Sequence, residues 1–351
     1  MSKAYLILEN GQVFEAESFG YEKEVIAELV FSTSMAGYME LLTDPGYYGQ
    51  MVVQSFPLIG NVGYIGQDME SDKIHLSAYI VRECAEVPSN FRCEGDLRSF
   101  LIENKIPAVS GVDTRALVKI IRDNGVMNAK ISFSKDYTTE ELEEIKGYEV
   151  VNAVKSVTST EVVKKDNGKE KTVALINFGI RASAEKMLDG YYNVIKLPAD
   201  VTAEEVLSYD PDGIILSDGP GNPKENEEII RVISSLVNKK PILAFGLGHE
   251  LLALANGLNT KKLRYGHIGS NQPVRDEKTG RVYITSQNHG YFVTDEISEE
   301  KAVIRFRNVN DSTCEGIEYK NGDISTQFSV DLSDGPQNTS FILGQFSELM
   351  K

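Results

Sequence analysis

Apolar and polar residues alternate over 4–14 with a break at Glu9-Asn10-Gly11, which predicts two short strands joined by a type I′ hairpin turn. A further strand is predicted over 25–31, and 34–48 reads as a loop, a short helix and a Pro-Gly turn. The run 51–56 is expected to be buried and leads into Pro57-Leu-Ile-Gly-Asn-Val-Gly63, an ordinary turn rather than a phosphate cradle. Helical spacing follows over 96–104 and over 113–122, the second helix starting at an Asp113 or Thr114 cap and ending at Asp123-Asn-Gly125. Both helices are expected to pack on the sheet, so the chain opens as an all-β or mixed domain. Asp113 and Arg115 read as a cap and a surface ion pair, not as an acid and a cation poised for chemistry.

The character changes over 135–170. Residues 140–145 form a charged helical stretch, and 154–170 is dominated by Lys, Glu, Thr and Asp around Asn167-Gly168, which predicts a solvated linker at a domain boundary. Beyond it, strands at 172–177, 193–197 and 213–217 alternate with helices at 182–188 and 203–207. That rhythm means a parallel, doubly wound sheet with ligands at the carboxyl ends of its strands. Ser217-Asp-Gly-Pro-Gly-Asn-Pro223 falls at such an end, and its glycines allow a ligand to come close to the backbone.

The apolar run 241–245 ends in Gly246-Leu-Gly248, and a helical pattern continues to Gly257. Strand, tight turn and helix in that order make a nucleophile elbow, in which a strained turn presents a reactive side chain and helix N-terminal amides stabilise an oxyanion. The apex residue here is Gly246, which has no side chain.

Composition narrows the class. With 351 residues and 41% hydrophobic content, two domains with ample core are expected. A formal charge of −16 argues against nucleic-acid or membrane-surface partners, and its simplest meaning is solubility. Cys84, Cys93 and Cys314 are odd in number and lack metal-ligand spacing, so neither a disulfide framework nor a zinc site is expected and a reducing cytoplasm fits. The N-terminal apolar run breaks too soon for a signal sequence, and no run is long enough to span a bilayer.

The segment Leu247-Gly248-His249 resembles the elbow of the class I glutamine amidotransferases, G-x-C-x-G-H-Q, with Gly246 in place of the cysteine and Glu250 in place of the glutamine. More narrowly, the chain resembles the carbamoyl phosphate synthetase small subunit. Residues 37–48 and 57–63 are close variants of its G-Y-x-E-x-L-T-D-P-S-Y and P-L-I-G-N-Y-G, and the likeness continues through 81–83, 88–90 and 111–117. The resemblance implies an α/β protein with a mixed α/β small-subunit domain at 1–150, a linker at 151–170 and a doubly wound amidotransferase-like domain at 171–351. It also implies a glutamine pocket. Gly46 stands at a family serine, and Gly219 and Gly221 match the glycines of L-S-N-G-P-G-D-P, with Asp218 and Asn222 as conservative departures. Leu247 and Glu250 follow the elbow, and Asn288, Gly290 and Tyr291 match S-Q-N-H-G-[FY]. His267 and His289 fall on structural positions of the family and are not assigned as bases.

Relatives close with F-S-V-Q-x-H-P-E-A-S-P-G-P, which supplies the base and its orienting glutamate. This chain reads Phe328-Ser-Val-Asp-Leu-Ser-Asp-Gly-Pro336, and no histidine follows His289. No catalytic residue is therefore expected, and the chain reads as a glutaminase-inactive partner of a large subunit. In that family the large subunit carries out the ATP-dependent steps on bicarbonate and ammonia, so ATP and Mg are expected there and no cofactor or metal in this chain. Such subunits serve pyrimidine and arginine biosynthesis. Two other readings stand beside this one. One is an active amidotransferase with a relocated nucleophile at Cys314 or Ser217. The other is a sensor of glutamine or ammonium, in which a negative Glu250 favours a cation.

Overall fold

The computed structural model describes residues 2–330 and 339–350. The chain divides into two compact units, the first comprising Met1–Val151 with Arg264–Gly266 and the second Asn152–Leu263 with the residues from His267 onward.

The first unit contains strands β1 (Ser2–Leu8), β2 (Val13–Ser18), β3 (Val25–Ser32), β4 (Gln50–Gln54), β5 (Leu58–Ile59), β6 (Ala78–Ile80), β7 (Glu83–Cys84), β8 (Ala108–Ser110) and β9 (Met127–Ser132). Its helices are α1 (Tyr38–Thr43), α2 (Leu97–Glu103), α3 (Thr114–Asn124) and α4 (Thr139–Lys146). Among the described residues, the strands close into a barrel in the order β1-β2-β8-β6-β4-β3-β9, while β5 and β7 pair only with each other. Period-two alternation explains the closure: Leu6 and Leu8, Ala27 and Leu29, Met51 and Val53, and Ala129 and Ile131 all point into one buried core. Leu117 and Ile121 of α3 join it. Asp113 is the cap expected of it, its side chain accepting from the Ala116 amide at 3.1 Å, and Gly125 ends the helix with a φ of 101°.

The hairpin expected at Glu9-Asn10-Gly11 forms, but its turn is not type I′. Only Gly11 takes a positive φ, 83°, whereas type I′ needs two. Leu8 and Gln12 close a longer loop, and the Asn10 side chain accepts from the Gln12 amide, which holds Asn10 out of the left-handed region.

The second unit contains α5 (Ala153–Val157), β10 (Val163–Lys165), β11 (Thr172–Ile176), α6 (Ala182–Tyr191), β12 (Asn193–Leu197), α7 (Ala203–Ser208), β13 (Gly213–Leu216), α8 (Glu227–Leu236), β14 (Ile242–Phe245) and α9 (Leu247–Ala255). It continues through β15 (Thr260–Asp276), β16 (Val282–Val293), β17 (Ala302–Asn308), β18 (Cys314–Tyr319), β19 (Ile324–Thr326) and α10 (Phe341–Leu349). Its described strands form one sheet in the order β10-β12-β11-β13-β14-β19-β18-β17-β15-β16, parallel from β12 to β19 and antiparallel at both flanks. Both faces of the parallel part are covered. Ala174, Ile214, Ile242 and Ala244 pack with α7, α8 and α9 on one face, and Val173, Leu175, Ile215 and Leu243 pack with α6 and α10 on the other. Each such aliphatic side chain contributes about 1.5–3 kcal/mol on burial, which is why the central strands read as continuous apolar runs.

The expected linker at 151–170 is a correction. Ala153 and Val154 are buried, β10 runs antiparallel to β12, and Lys165 pairs with Glu185 and Asp189. Of the charges that suggested solvation, Lys165 faces partners on α6, whereas Glu161, Lys164, Asp166 and Glu170 are exposed, because an edge strand buries only part of its surface.

Candidate functional site

The elbow is built as its sequence predicts. β14 ends at Phe245, Gly246 takes φ 48° and ψ −117°, and α9 starts at Leu247. That backbone conformation is costly for any residue with a Cβ. Gly248 serves close approach instead: a Cβ there would meet the Ser217 carbonyl oxygen at 2.7 Å, and the Gly248 amide donates to that oxygen at 3.1 Å. The helix N-terminus thereby sits against the end of β13.

The Gly-Pro loop that follows β13 delivers Asp218 to the same place. Its Oδ1 accepts from the Gly219 amide at 2.7 Å and from the Leu247 amide at 3.1 Å. A Cβ added to Gly246 would lie 2.8 Å from Asp218 Oδ2 and closer still to Cγ and Oδ1. Asp218 was expected to be a conservative departure. Its carboxylate in fact fills the space where an apex side chain begins and takes the two amides that face it.

Glu250 lies on the first turn of α9, fully buried, and accepts from Gln327 Nε2 at 3.0 Å. Burial, added to by the Asp218 and Glu315 charges, pushes its carboxyl well above the usual range. That shift opposes the negative charge expected of Glu250 and favours the protonated acid, a near-isostere of glutamine. Two buried atoms, Nε2 of the preceding residue His249 and Oε1 of Gln327, whose Nε2 donates to Glu250, have no hydrogen-bond partner among the described residues. His249 Nδ1 lies 2.7 Å from Ser325 Oγ, and burial lowers this histidine's pKa to about 3.

Asn288, Gly290 and Tyr291 lie on β16, a strand that packs against α9. Asn288 is in register with Ile268, Gly290 has open space where a Cβ would be, and Lys262 Nζ lies 5.9 Å from the Tyr291 ring centroid. Gly219 is fixed by the Phe178 backbone, which a Cβ would strike, and Gly221 has φ 97° with Ala153 against it. Gly46 belongs to the first unit, in a short turn where its amide donates to Asp44 Oδ1 at 2.8 Å.

Between β15, β16 and β18 lies a buried network that sequence reading resolved only as two structural histidines. His267 Nδ1 donates to Glu315 Oε1 at 3.1 Å and its Nε2 to Asp311 Oδ2 at 2.8 Å. His289 Nδ1 donates to the Tyr291 carbonyl at 2.6 Å, with Nε2 3.0 Å from Gln287 Oε1, while Gln287 Nε2 donates to Glu315 Oε2 at 2.9 Å. Burial alone would lower the His267 pKa, but the two carboxylates outweigh it and raise it to about 9. His267, His289 and Glu315 have the spacing of a metal site, yet all four ring nitrogens already lie within hydrogen-bond distance of protein oxygens. They act as a strand clamp.

Neither proposed substitute nucleophile has a base beside it among the described residues. The Cys314 thiol is buried and pushed up to about 12, and its sulfur points to the Gly316 carbonyl. The Ser217 hydroxyl, also buried, donates to the Asp218 carbonyl and accepts from the Phe178 amide. The segment replacing H-P-E is described only at Phe328–Val330, and its remainder, 331–336, lies outside the described residues. A groove of about 750 Å³ lined by Val154, Lys155, Lys224 and Ile229 contains none of the positions named from the sequence.

Two family models match the chain: carbamoyl-phosphate synthase small chain, CPSase domain, over residues 6–131, and glutamine amidotransferase class-I over residues 174–348. A carbamoyl phosphate synthase small chain of Clostridium perfringens is 44% identical over 98% of both chains. One from Caldanaerobacter subterraneus is 39% identical, over 99% of this chain and 96% of its own. The pyrimidine-specific small chain of Bacillus subtilis is 38% identical with the same two coverages.

Proposed function

The chain belongs to the carbamoyl phosphate synthase small-chain family, and from that membership we propose a small chain without glutaminase activity, which assembles with a large chain whose synthesis then runs on free ammonia. Thiol-dependent hydrolysis of glutamine needs a nucleophile at the elbow apex, a base within hydrogen-bond reach and two amides for the oxyanion. The observation that carries the proposal is the apex itself: Gly246 offers no attacking atom, and the amides of Gly219 and Leu247 are held by Asp218. Burial lowers the His249 pKa to about 3, which makes it a weak base, and His267, raised to about 9 between two carboxylates, already holds its proton, so neither is suited to take one from an apex group at neutral pH. Cys314 as a relocated nucleophile is disfavoured by its raised thiol pKa. ATP and Mg belong, on this reading, to the large chain.

The test is to purify the chain with the large chain from the same source and supply either glutamine or ammonia. Co-elution at micromolar concentration is expected, with carbamoyl phosphate formed from ammonia and no release of ammonia from glutamine above a no-enzyme control. Glutamine hydrolysis that disappears on substituting one residue of this chain overturns the proposal.

A further inference from the structure

We propose that Asp218 and Gly246 form an interlocked pair that decides what the elbow pocket accepts: the Asp218 carboxylate is the resident anion of the amide pair, and it can be there only because residue 246 has no Cβ. Two independent observations meet at this point. The first is the hydrogen bonding, in which one carboxylate oxygen receives both the Gly219 and the Leu247 amides. The second is volume, since a Cβ on Gly246 would fall within the Asp218 carboxylate group. A carboxylate at the N-terminus of α9 is also favoured by the helix dipole, so the arrangement has an electrostatic reason to persist.

The consequence is one of specificity. A carboxamide or carboxylate ligand binds an amide pair by presenting an oxygen acceptor, and here an acceptor is already seated and covalently tethered. Ligands with an acceptor at that end must displace Asp218, losing two hydrogen bonds to gain two. Asp218 is thus a specificity-determining residue that excludes acyl groups from the elbow. This inference rests on the same reading of the pocket as the proposed function. Its test, however, reads conformational coupling rather than turnover, so either can fail alone.

The experiment is a double-mutant cycle with Gly246→Ala and Asp218→Ala, followed by thermal unfolding of the full chain. The positive φ at 246 strains alanine equally in both backgrounds, so the cycle isolates the steric overlap. The fall in melting temperature caused by Gly246→Ala is expected to shrink by at least half when Asp218 is alanine. An equal fall in both backgrounds overturns the pairing. If Gly246→Ala does not fold, the unsubstituted protein carries the test through selectively labelled amide resonances. Those of Gly219 and Leu247 are expected to shift together as acid protonates one carboxyl group, and to lose that response in Asp218→Ala. Two amides that ignore pH, or that keep the response in Asp218→Ala, overturn it.

Discussion

Two buried polar regions of the second unit lie on neighbouring elements and have opposite characters. In the clamp of His267, His289 and Glu315, the two histidines that fall on family positions are present, and both His267 nitrogens and both Glu315 oxygens have protein hydrogen-bond partners. At the elbow, the residues depart from the family pattern at 218, 246 and 250, and two buried polar atoms, His249 Nε2 and Gln327 Oε1, have no hydrogen-bond partner among the described residues. A buried polar atom left unpaired costs about 1–3 kcal/mol, so the second arrangement is not what stability alone selects. The difference teaches that the network around β16 is held by mutual hydrogen bonds, while the N-terminal end of α9 is arranged around the Asp218 carboxylate.

The comparison breaks first if the clamp is not structural. Glu315→Ala removes the acceptor shared by His267 and Gln287 and leaves a buried imidazolium with only Asp311. A loss of about 3–5 kcal/mol is expected, because removing one partner strands the other charge. Chemical denaturation followed by circular dichroism suits a chain with no tryptophan. A loss below about 1 kcal/mol contradicts the clamp.

The clamp also has a pH signature. The folded His267 pKa of about 9 lies above an unfolded value of about 6.5, so its contribution is complete below 6.5 and is lost as pH rises through 9. The size is on the order of 3 kcal/mol, from 1.36 kcal/mol per unit. His267→Gln is expected to be less stable at pH 6.5 and to lack this fall between pH 6.5 and 9. A parallel pH profile in the two proteins contradicts the assignment.

At the elbow the expected effects are smaller for stability and absolute for activity. Gly246→Cys places a Cβ at φ 48°, which costs on the order of 1–3 kcal/mol, and it must also evict Asp218. No glutaminase is expected from it, since the new thiol gains a carboxylate neighbour and no base, and a nearby carboxylate disfavours the thiolate. Restoring cysteine at 246, glutamine at 250 and the H-P-E segment looks complete from the sequence alone. The geometry adds a fourth change, Asp218→Ala, which removes both the volume and the acceptor that otherwise keep the repaired site occupied. Ammonia release by the quadruple repair and not by the version retaining Asp218 is the expected contrast. Hydrolysis by Gly246→Cys alone means that an unassigned base is present.

Much of this was legible beforehand, because period and punctuation are local properties. The strands from β11 to β14, the α3 cap at Asp113 and the elbow with its bare apex follow from residues within one or two turns of each other. What was not legible depends on residues distant in sequence. Asp218 meets Leu247 across 29 positions and His267 meets Glu315 across 48, so neither contact leaves a spacing to read. The signal for the first was nonetheless available, since two departures from one family pocket, at 218 and 246, invite being read together. The linker misreading has another cause: the charges of Lys165, Glu185 and Asp189 look solvated until the edge strand and α6 are set side by side.

The smallest expected effect tests the electrostatics of the elbow most closely. Glu250 is fully buried beside Gln327, with two other carboxylates near enough to add to the cost of ionising it. Burial is the larger cause of its raised pKa, and it makes the neutral acid the resident form. Glu250→Gln then replaces a neutral group by one of nearly the same shape, and the acceptor for Gln327 Nε2 is retained. Below about pH 4.5, where the folded and unfolded chains both hold the proton, a change within about 0.5 kcal/mol is expected, as for a substitution that creates no cavity and no unpaired charge. The pH dependence should differ in sign-determined fashion. A carboxyl whose folded pKa is raised holds its proton above the usual value of about 4.5, where the unfolded chain has released it, so the unsubstituted protein loses stability as pH rises from there. The glutamine variant has no proton to lose and should keep a flatter profile over that range. If the stability difference between Glu250→Gln and the unsubstituted protein instead stays constant as pH rises from about 4.5 to neutral, the carboxyl is ionised in the folded protein, and the elbow carries two negative charges rather than one.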